Sequence, residues 1–283
     1  MTDIVYLNGE LIAKHQAKIS ILDRGFLFSD GIYEVIPVYS STPFRLEQHL
    51  SRLQYCLDQL SIINPHSNIE WKNIIRTLIE RNGGGHLSIY MHITRGVGVD
   101  RNHIGGESLS PTVLVMASPL TISEQAIQTT TATLLEDTRW HHCDIKSVAL
   151  LSNVMLRNQA EKLGHGEALL HRNGVVTEGS TSNVFIVKHR EVYTPKQSNL
   201  ILGGITRDVI IELAENAGLK LHQENISKQQ LLNADEVWIS SSTREISPVT
   251  AIDDKIISNG EIGPVAKALH SEFQTFKKSL IRH

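Results

Sequence analysis

Residues 167–185, EALLHRNGVVTEGSTSNVF, predict a β-hairpin whose second strand ends in a carboxylate. The strand-like runs EALLHR and VVTEG flank Asn173-Gly174, a pair that readily takes the positive φ angles of a tight turn. Glu178 closes the second run, and a polar segment of residues 179–183 follows it. A lone glutamate at a strand end usually faces solvent. The hairpin therefore predicts the position of Glu178 and leaves its role open.

The first 118 residues predict a mixed α+β domain. Ile4–Leu7 and Glu10–Ala13 form another hairpin, around Asn8-Gly9. Leucines 46, 50, 53, 57 and 60 repeat at helical spacing, and the capping box Ser67-x-x-Glu70 begins a second helix. The remaining strand-like runs are 31–39, 86–95 and 112–117, with a polar, glycine-containing loop between the last two.

Residues 119–123, PLTIS, are the predicted linker to a second domain, residues 124–283. Besides the hairpin, this domain has predicted strands at 129–135, 139–145, 183–187, 191–193 and 236–240. Its predicted helices cover 149–163 and 205–217, and Ser227-x-x-Gln230 caps a third. We therefore expect an α+β protein of two domains.

The composition excludes several classes of function. With 27 Lys and Arg against 30 Asp and Glu, the net charge of -3 gives no reason to expect binding to nucleic acid or anionic membranes. No run approaches the ~18 apolar residues of a spanning helix, and MTDIVYLNGELIAK lacks the pattern of a secretion signal. Cys56 and Cys143 are too few for a disulfide framework and suit a reducing compartment. We expect a soluble, cytoplasmic protein.

The segment WHHCDIKSVALLSN, residues 140–153, contains two candidate sites. His141, His142 and Cys143 are metal-binding residue types, but successive side chains on a strand point to opposite faces. At most His141 and Cys143 could then meet one ion, and no other Cys or His cluster at zinc spacing completes the set. We therefore expect no metal at this segment.

The second candidate is Lys146. The five residues after it include no carboxylate, and apolar surroundings disfavour the ammonium form of a lysine. A neutral lysine amine is a nucleophile that can condense with a carbonyl to form a Schiff base, which is the chemistry that pyridoxal phosphate uses. The alternative interpretation is that Lys146 reaches water or pairs with Asp144, and from this residue alone that alternative is favoured.

A pyridoxal phosphate site also needs a carboxylate for the ring nitrogen and an anion site for the phosphate. Glu178 is the candidate carboxylate. Gly203-Gly204-Ile205-Thr206 places backbone N–H groups at a predicted helix N-terminus, where anions bind. Ser240-Ser241-Ser242-Thr243 and Arg52 offer further donors, although such loops and helix arginines are common without any ligand.

The third requirement is a pair of donors for a substrate carboxylate. Arg101 and His103 are two residues apart, so they lie on one side of the chain if that loop is extended. A surface loop with an arginine and a histidine needs no function, and that alternative stays open here.

The order of these residues along the chain resembles one family, the fold-type IV pyridoxal-phosphate aminotransferases. This group includes D-amino acid aminotransferase, branched-chain aminotransferase and aminodeoxychorismate lyase, and the resemblance is closest to the first. It covers essentially the whole chain and is carried by DRGFLFSDGIYEV (23–35), HLSRL (49–53), TRGVGVDRNH (94–103), RWHHCDIKS (139–147), EALLHRNGVVTEGSTSNVF (167–185), ILGGITRD (201–208) and SSSTREISPV (240–249). It implies a smaller N-terminal α/β domain, a larger C-terminal domain with a β-barrel-like sheet and helices, and a cofactor at the domain interface.

The resemblance also implies roles for single residues. Lys146 would be the catalytic lysine that holds pyridoxal 5′-phosphate as a Schiff base and moves protons, and Glu178 would contact the pyridine nitrogen. The phosphate would be bound by Arg52, Ile205, Thr206, Ser242 and Thr243. The substrate carboxylate would be bound by Tyr33, Arg101 and His103, the last two from a neighbouring subunit. A homodimer is therefore implied.

The implied reaction transfers the amino group of a D-amino acid, such as D-alanine, to 2-oxoglutarate, giving a 2-oxo acid and D-glutamate. A branched-chain L-amino acid aminotransferase is one alternative and would lack the Arg101 and His103 pair. Aminodeoxychorismate lyase is the other. The chain departs from the family pattern at Phe26, where tyrosine is usual, and at Ser29, where glycine is usual. Its loop from Arg95 to Arg101 is one residue longer.

Overall fold

The computed structural model describes residues 3–105, 109–122 and 127–281. The chain divides into two compact units, Met1–Ile122 with Ile145–Ala149, and Ser123–Asp144 with Leu150–His283. The predicted linker ends at residue 123 and the predicted second domain begins at 124, and both positions lie outside the described residues. Residues 106–108 of the polar loop also lie outside them. None of the helices in the described part is long and apolar enough to cross a membrane.

The first unit contains a six-stranded antiparallel sheet, in the order β2-β1-β6-β5-β3-β4. Its strands are β1 (Ile4–Leu7), β2 (Glu10–Ala13), β3 (Gly31–Tyr39), β4 (Thr42–Pro43), β5 (Leu87–Thr94) and β6 (Thr112–Pro119). Its helices are α1 (Arg24–Phe28), α2 (Leu46–Gln59) and α3 (Asn68–Arg81). Alternate residues of β5 are buried in one core with the leucines of α2 and the apolar stripe of α3. The alternate residues of the strand and the regularly spaced leucines of the helix therefore pack against each other in one apolar layer.

Local signals explain several ends of these elements. Asn8 and Gly9 have φ of 49° and 99°, as the predicted hairpin requires. Ser67 and Glu70 form the predicted capping box at the start of α3. The short helix α1 was not predicted. Its N-cap is Asp23, whose side chain accepts a hydrogen bond from the Gly25 N–H. Its C-cap is Ser29, which has a φ of 56°, a conformation in which glycine is the usual residue.

Residues Ile145–Ala149 belong to the first unit, and their predicted place in the second domain is wrong. Backbone hydrogen bonds to the start of β3 hold them there. Tyr33 N–H donates to the Lys146 carbonyl at 3.0 Å, and Val148 N–H donates to the Gly31 carbonyl at 3.0 Å. Lys146 is thus fixed against a strand that is more than a hundred residues away in sequence.

The second unit contains a larger sheet with the strand path β12-β11-β10-β14-β15-β7-β8-β9-β13, and β16 pairs with β15. Its strands are β7 (Thr130–Glu136), β8 (Glu167–Arg172), β9 (Val175–Gly179), β10 (Asn183–Lys188), β11 (Glu191–Thr194), β12 (Leu221–Gln223), β13 (Ile226–Ser227), β14 (Glu236–Ser241), β15 (Glu245–Ile252) and β16 (Lys255–Ile256). Its helices are α4 (Leu151–Lys162), α5 (Ile205–Asn216), α6 (Lys228–Leu232) and α7 (Pro264–Ile281). The predicted hairpin is β8 and β9, and Ser227 and Gln230 form the predicted capping box of α6. The fold is thus of the predicted α+β, two-unit kind.

The predicted strand at 139–145 is wrong, because these residues form turns and irregular chain. Long-range contacts override their strand-like pattern. The Arg172 guanidinium donates to the carbonyls of Arg139 at 2.6 Å and Trp140 at 2.7 Å, and Cys143 N–H donates to the Asn199 carbonyl at 2.8 Å. The strand β15 and the C-terminal helix α7 were not predicted.

Candidate active site

Lys146 lies at the edge of the first unit's sheet. Its side chain is half-buried, and Nζ lies 4.1 Å from the centroid of the Tyr33 ring. Its backbone N–H donates to Cys56 Sγ at 3.3 Å. The main chain on both sides of Lys146 is therefore anchored, while the amine is directed to the face of an aromatic ring. The structure brings two of the predicted site residues, Lys146 and Tyr33, into contact.

Arg52 belongs to a buried cluster with Glu34 and His49 that was not predicted. Its Nε donates to Glu34 Oε1 at 2.7 Å and its Nη2 donates to Glu34 Oε2 at 2.8 Å, a bidentate pair. His49 Nδ1 is 2.9 Å from the same Oε2. Burial by itself would raise the pKa of Glu34, but the Arg52 guanidinium and His49 hold it well below its usual value. Glu34 thus orients Arg52, which stays a predicted phosphate ligand.

Arg101 and His103, the predicted donors for a substrate carboxylate, lie on an exposed loop that contacts a buried arginine, Arg24. Arg101 and His103 both pack on Phe28, with the Arg101 guanidinium carbon 5.2 Å and the His103 ring centroid 5.0 Å from the Phe28 ring centroid. The two side chains therefore lie on one side of the loop. Arg24 is buried and holds the loop from below, since its guanidinium donates to the carbonyls of Asn102 at 2.5 Å and His103 at 2.9 Å. Arg24 also donates to an Asp30 oxygen at 2.8 Å.

Glu178 is buried at the end of β9 and accepts three hydrogen bonds from described residues. Arg139 Nη1 donates to Oε1 at 2.6 Å, while Asn183 Nδ2 at 3.2 Å and Leu202 N–H at 3.0 Å donate to Oε2. The interpretation of Glu178 as a solvent-exposed residue at a strand end is therefore wrong, because its carboxylate is buried and hydrogen-bonded to protein groups.

The hydrogen bonds of Glu178 leave it able to accept a further donor from a cationic ring. An ionised carboxylate offers about four acceptor positions, and the described donors occupy three, with only one on Oε1. Burial raises the pKa of Glu178, and Arg139 opposes that rise. Arg139 balances the charge incompletely because its Nε and Nη2 donate to Asp137, at 3.0 Å and 2.9 Å. A protonated pyridine nitrogen would supply the missing donor and cation, so the residues fit pyridoxal 5′-phosphate.

Asn183 connects Glu178 to the segments that carry the predicted phosphate ligands. Its side-chain N–H₂ donates to Glu178 and also to the Leu202 carbonyl at 2.9 Å. Its backbone pairs with Ser240 in the β10–β14 ladder. A Cβ on Gly204 would lie 2.0 Å from Asn183 Oδ1, so only glycine allows this close approach. Glu178 and the segment that leads into α5 therefore meet at the Asn183 side chain, while the end of β14 pairs with the Asn183 backbone.

The predicted phosphate ligands of the second unit occupy two element ends. Ile205 and Thr206 are the first residues of α5, whose N-cap, Gly204, provides no side-chain hydrogen bond. Helices α3 and α6 begin with capping boxes, whereas the first-turn N–H groups of α5 have no side-chain cap. Ser242 and Thr243 lie in the turn between β14 and β15. An anion at α5 would satisfy those N–H groups.

Sequence reasoning missed Glu34, His49, Arg139 and Asn183. Arg139 and Glu178 are 39 residues apart, so no local pattern predicts their contact. A signal existed for Glu34, because a charged residue inside the apolar run GIYEVIPVY needs a partner. Among the described residues, no group of three or more His, Cys, Asp and Glu side chains is arranged to hold a metal ion.

Comparison with known proteins identifies the family of the chain. The profile of the amino-transferase class IV family matches residues 31–252. The D-alanine aminotransferase of Bacillus licheniformis is 38% identical over 271 residues, 95% of each chain. That of Staphylococcus aureus strain N315 is 36% identical over 280 residues, 97% of this chain and 98% of the relative.

Solved structures share the fold. The Escherichia coli branched-chain amino acid aminotransferase has a TM-score of 0.89 at 26% identity, covering 96% of this chain and 94% of that one. The T.th. branched-chain amino acid aminotransferase, solved with pyridoxamine 5′-phosphate, has a TM-score of 0.87 at 25% identity, covering 99% of this chain and 95% of that one.

Proposed function

The chain belongs to the class IV aminotransferases, which are pyridoxal-phosphate enzymes, and we propose that it transfers the amino group of D-amino acids such as D-alanine to 2-oxoglutarate. The observation that carries this proposal is the convergence of Arg101 and His103 on Phe28, which offers two donors to a substrate carboxylate on one face of a loop. Curated relatives named D-alanine aminotransferases, similar over 95–97% of the chain, support the same substrate class.

We assign the cofactor to the residues whose donors suit it. Lys146 would bind its aldehyde carbon, and Glu178 would accept the ring N–H. Thr206, the N–H groups of Ile205 and Thr206, and the Ser242–Thr243 turn would bind the phosphate with Arg52. When bound, pyridoxal 5′-phosphate supplies a reactive aldehyde and an electron-withdrawing ring that stabilises negative charge at the substrate Cα.

Lys146 is the proton carrier in this proposal. Nζ takes the proton from the substrate Cα as a general base, and then returns a proton as a general acid. The Tyr33 ring restricts where the amine can go, because Nζ lies over its face. Glu178 is fixed by Arg139, Asn183 and Leu202, and it would accept the ring N–H of the bound cofactor and favour the protonated form of that nitrogen.

Substrate chirality follows from how the carboxylate is held. Arg101 and His103 provide charge-assisted or neutral hydrogen bonds, and Tyr33 provides a hydroxyl. Fixing the carboxylate determines whether the Cα–H bond of a D- or an L-amino acid points to Lys146 Nζ. The arrangement of this loop therefore decides the preferred enantiomer.

The test compares D-alanine with L-alanine and L-leucine as amino donors to 2-oxoglutarate. We expect the highest kcat/KM with D-alanine. The structural similarity to branched-chain aminotransferases makes L-leucine the critical competitor. Faster turnover of either L-amino acid would reject the proposed stereochemistry while leaving the aminotransferase assignment in place.

We further propose that the chain acts as a homodimer. Large apolar side chains around the Arg101–His103 loop are exposed, among them Ile21 at 75%, Phe26 at 69%, Val99 at 94% and Ile104 at 80%. The two segments that carry these side chains are joined by a bridge between Asp23 and Val97. Extensive exposed apolar surface is typical of an interaction site, and a second copy would cover these side chains. Light scattering of the purified protein should give twice the chain mass, and Val99→Asp should give monomers. A monomeric parent protein with full activity would contradict this.

The two cysteines support a cytoplasmic location. Cys56 and Cys143 are both buried and unpaired. Burial raises the pKa of the Cys143 thiol to about 11, so it is protonated and unreactive at neutral pH. Fractionation of the source cells should recover the protein with the cytoplasmic proteins, and recovery outside the cytoplasm would contradict the proposal.

A further inference from the structure

Glu167 is a fully buried carboxylate at the start of β8 that none of the steps above uses. Five donors surround its two oxygens: the backbone N–H of Ala168 at 2.9 Å, the hydroxyls of Ser180, Thr181 at 3.2 Å and Ser182 at 3.0 Å, and Arg244 Nη1 at 3.2 Å. A buried carboxylate is unfavourable unless it is paired and hydrogen-bonded, and this one has both kinds of partner.

These donors come from two segments with different predicted tasks. Ser180, Thr181 and Ser182 lie between Glu178, the proposed partner of the ring nitrogen, and Asn183, which donates to Glu178. Arg244 directly follows Ser242 and Thr243, the predicted phosphate ligands in the turn between β14 and β15. Glu167 therefore joins the segment at the ring nitrogen to the turn at the phosphate.

The turn is fixed on its other side as well. Glu245 accepts hydrogen bonds from Lys277 Nζ and Gln274 Nε2 of α7, both at 2.6 Å. Arg244 N–H donates to Ser241 Oγ at 3.3 Å, and the Arg244 guanidinium reaches Glu167. The contact between Arg244 and Glu167 is thus a side-chain link from this turn to the segment between Glu178 and Asn183, in addition to the β10–β14 ladder.

We infer that Glu167 is a positioning residue that sets the spacing between the ring-nitrogen site and the phosphate turn, an inference that rests on the proposed cofactor. A ligand held at two ends binds more tightly when the two ends are pre-organised at the correct separation. Loss of the Glu167 charge weakens its contacts with Arg244 and with the three hydroxyls. The phosphate group then contributes less to cofactor affinity.

The test measures how much the phosphate contributes to binding. Dissociation constants of pyridoxal 5′-phosphate and of pyridoxal are measured by tryptophan fluorescence on cofactor-free protein, and the ratio of the pyridoxal constant to the phosphate-bearing one reports the phosphate. We expect Glu167→Gln to lower this ratio about tenfold, the size of one lost charge-assisted contact. Arg244→Met should lower it similarly, and the double variant should be no worse than either single one.

Glu236→Gln is the matched control. Glu236 is a buried carboxylate at the opposite end of β14, where it accepts the N–H groups of Val265 and Ala266 at 2.9 Å and caps α7. Its loss should lower thermal stability and leave the ratio unchanged. An unchanged ratio in Glu167→Gln and Arg244→Met would overturn the inference, and Arg244→Met decides alone if Glu167→Gln does not fold. Wild-type protein that binds neither compound would reject the proposed function instead.

Discussion

Glu34 in the first unit and Glu178 in the second are both buried and both contact an arginine, yet their environments act on them in opposite directions. Glu34 accepts hydrogen bonds from two nitrogens of Arg52 and contacts one nitrogen of His49. These partners outweigh burial, so the pKa of Glu34 is lowered. Glu178 receives one nitrogen of Arg139, and burial raises its pKa.

The difference lies in how the arginines are shared. Arg52 offers Glu34 a full bidentate fork, whereas Arg139 gives its Nε and Nη2 to Asp137. The carboxylate of Glu34 is therefore balanced by its own neighbours and serves to position Arg52. Glu178 is left with acceptor capacity and incomplete compensation, which is what a partner for a cationic ring requires. A buried carboxylate indicates a ligand site when its neighbouring residues neither balance its charge nor occupy all its acceptor positions.

Glu34→Gln should have the largest effect on stability. Removing one member of a buried ion pair leaves Arg52 without its bidentate partner, and this typically costs about 4 kcal/mol. Urea unfolding of wild-type and variant protein measures this difference. A loss below about 1 kcal/mol would mean that Glu34 does not balance Arg52 as described.

Glu178→Gln should reduce kcat more than it reduces stability. The variant cannot keep a positive charge on the ring nitrogen, and removing one such electrostatic group lowers kcat by about 100-fold. Its unfolding free energy should fall by only about 1 kcal/mol, because Arg139 keeps Asp137 as a partner. Steady-state kinetics with saturating cofactor and chemical unfolding check the two parts. Equal kinetic losses in Glu34→Gln and Glu178→Gln would erase the distinction between the two carboxylates.

Arg101→Ala should raise KM for D-alanine about tenfold, since one charge-assisted contact to the substrate carboxylate is lost. The dissociation constant of the cofactor should not change. Arg81→Ala, at the end of α3, is the control and should leave both constants as they are. Loss of cofactor from Arg101→Ala would show that this residue has been misassigned.

The two carboxylates should also give opposite slopes of stability against pH. The folded-state pKa of Glu34 lies below its usual 4.5, so its contribution is present above about pH 4.5 and is lost as the pH falls towards the folded value. The folded-state pKa of Glu178 lies above 4.5, so its ionisation disfavours folding at higher pH, and this penalty disappears as the pH falls.

Unfolding free energies measured at several pH values test these slopes. The difference in unfolding free energy between wild type and Glu34→Gln should shrink on acidification. Over the same pH range, the unfolding free energy of wild type should rise relative to that of Glu178→Gln. Each slope is at most about 1.4 kcal/mol per pH unit. Slopes of the same sign would contradict the assignment of the two environments.

Local rules accounted for much of the fold. Asn8-Gly9 and Asn173-Gly174 predicted hairpins, the leucine repeat predicted α2, and Ser67 with Glu70 predicted the start of α3. The strand predicted at 139–145 failed because contacts with Arg172 and Asn199 hold those residues in turns. Local patterns cannot report such partners. Helix α7 has a local signal too, because Val265, Leu269 and Phe273 repeat at helical spacing after Pro264.

The candidate site divides in the same way. Lys146 and Glu178 could be singled out from their neighbours in sequence, and the family resemblance supplied their roles. Arg139, Asn183 and Glu167 each contact residues 19 or more positions away in the chain, so their roles were visible only in the structure. The exposed positions of Arg101 and His103 are also structural findings, while their contact with substrate stays a prediction.

Borohydride reduction of the cofactor-loaded protein, followed by peptide mass mapping, tests the central claim most directly. A covalently attached pyridoxyl group should be found on the peptide that contains Lys146, in nearly stoichiometric amount, and prior incubation with D-alanine should prevent its attachment. A pyridoxyl group on another lysine, or none on protein that has taken up the cofactor, would contradict the account.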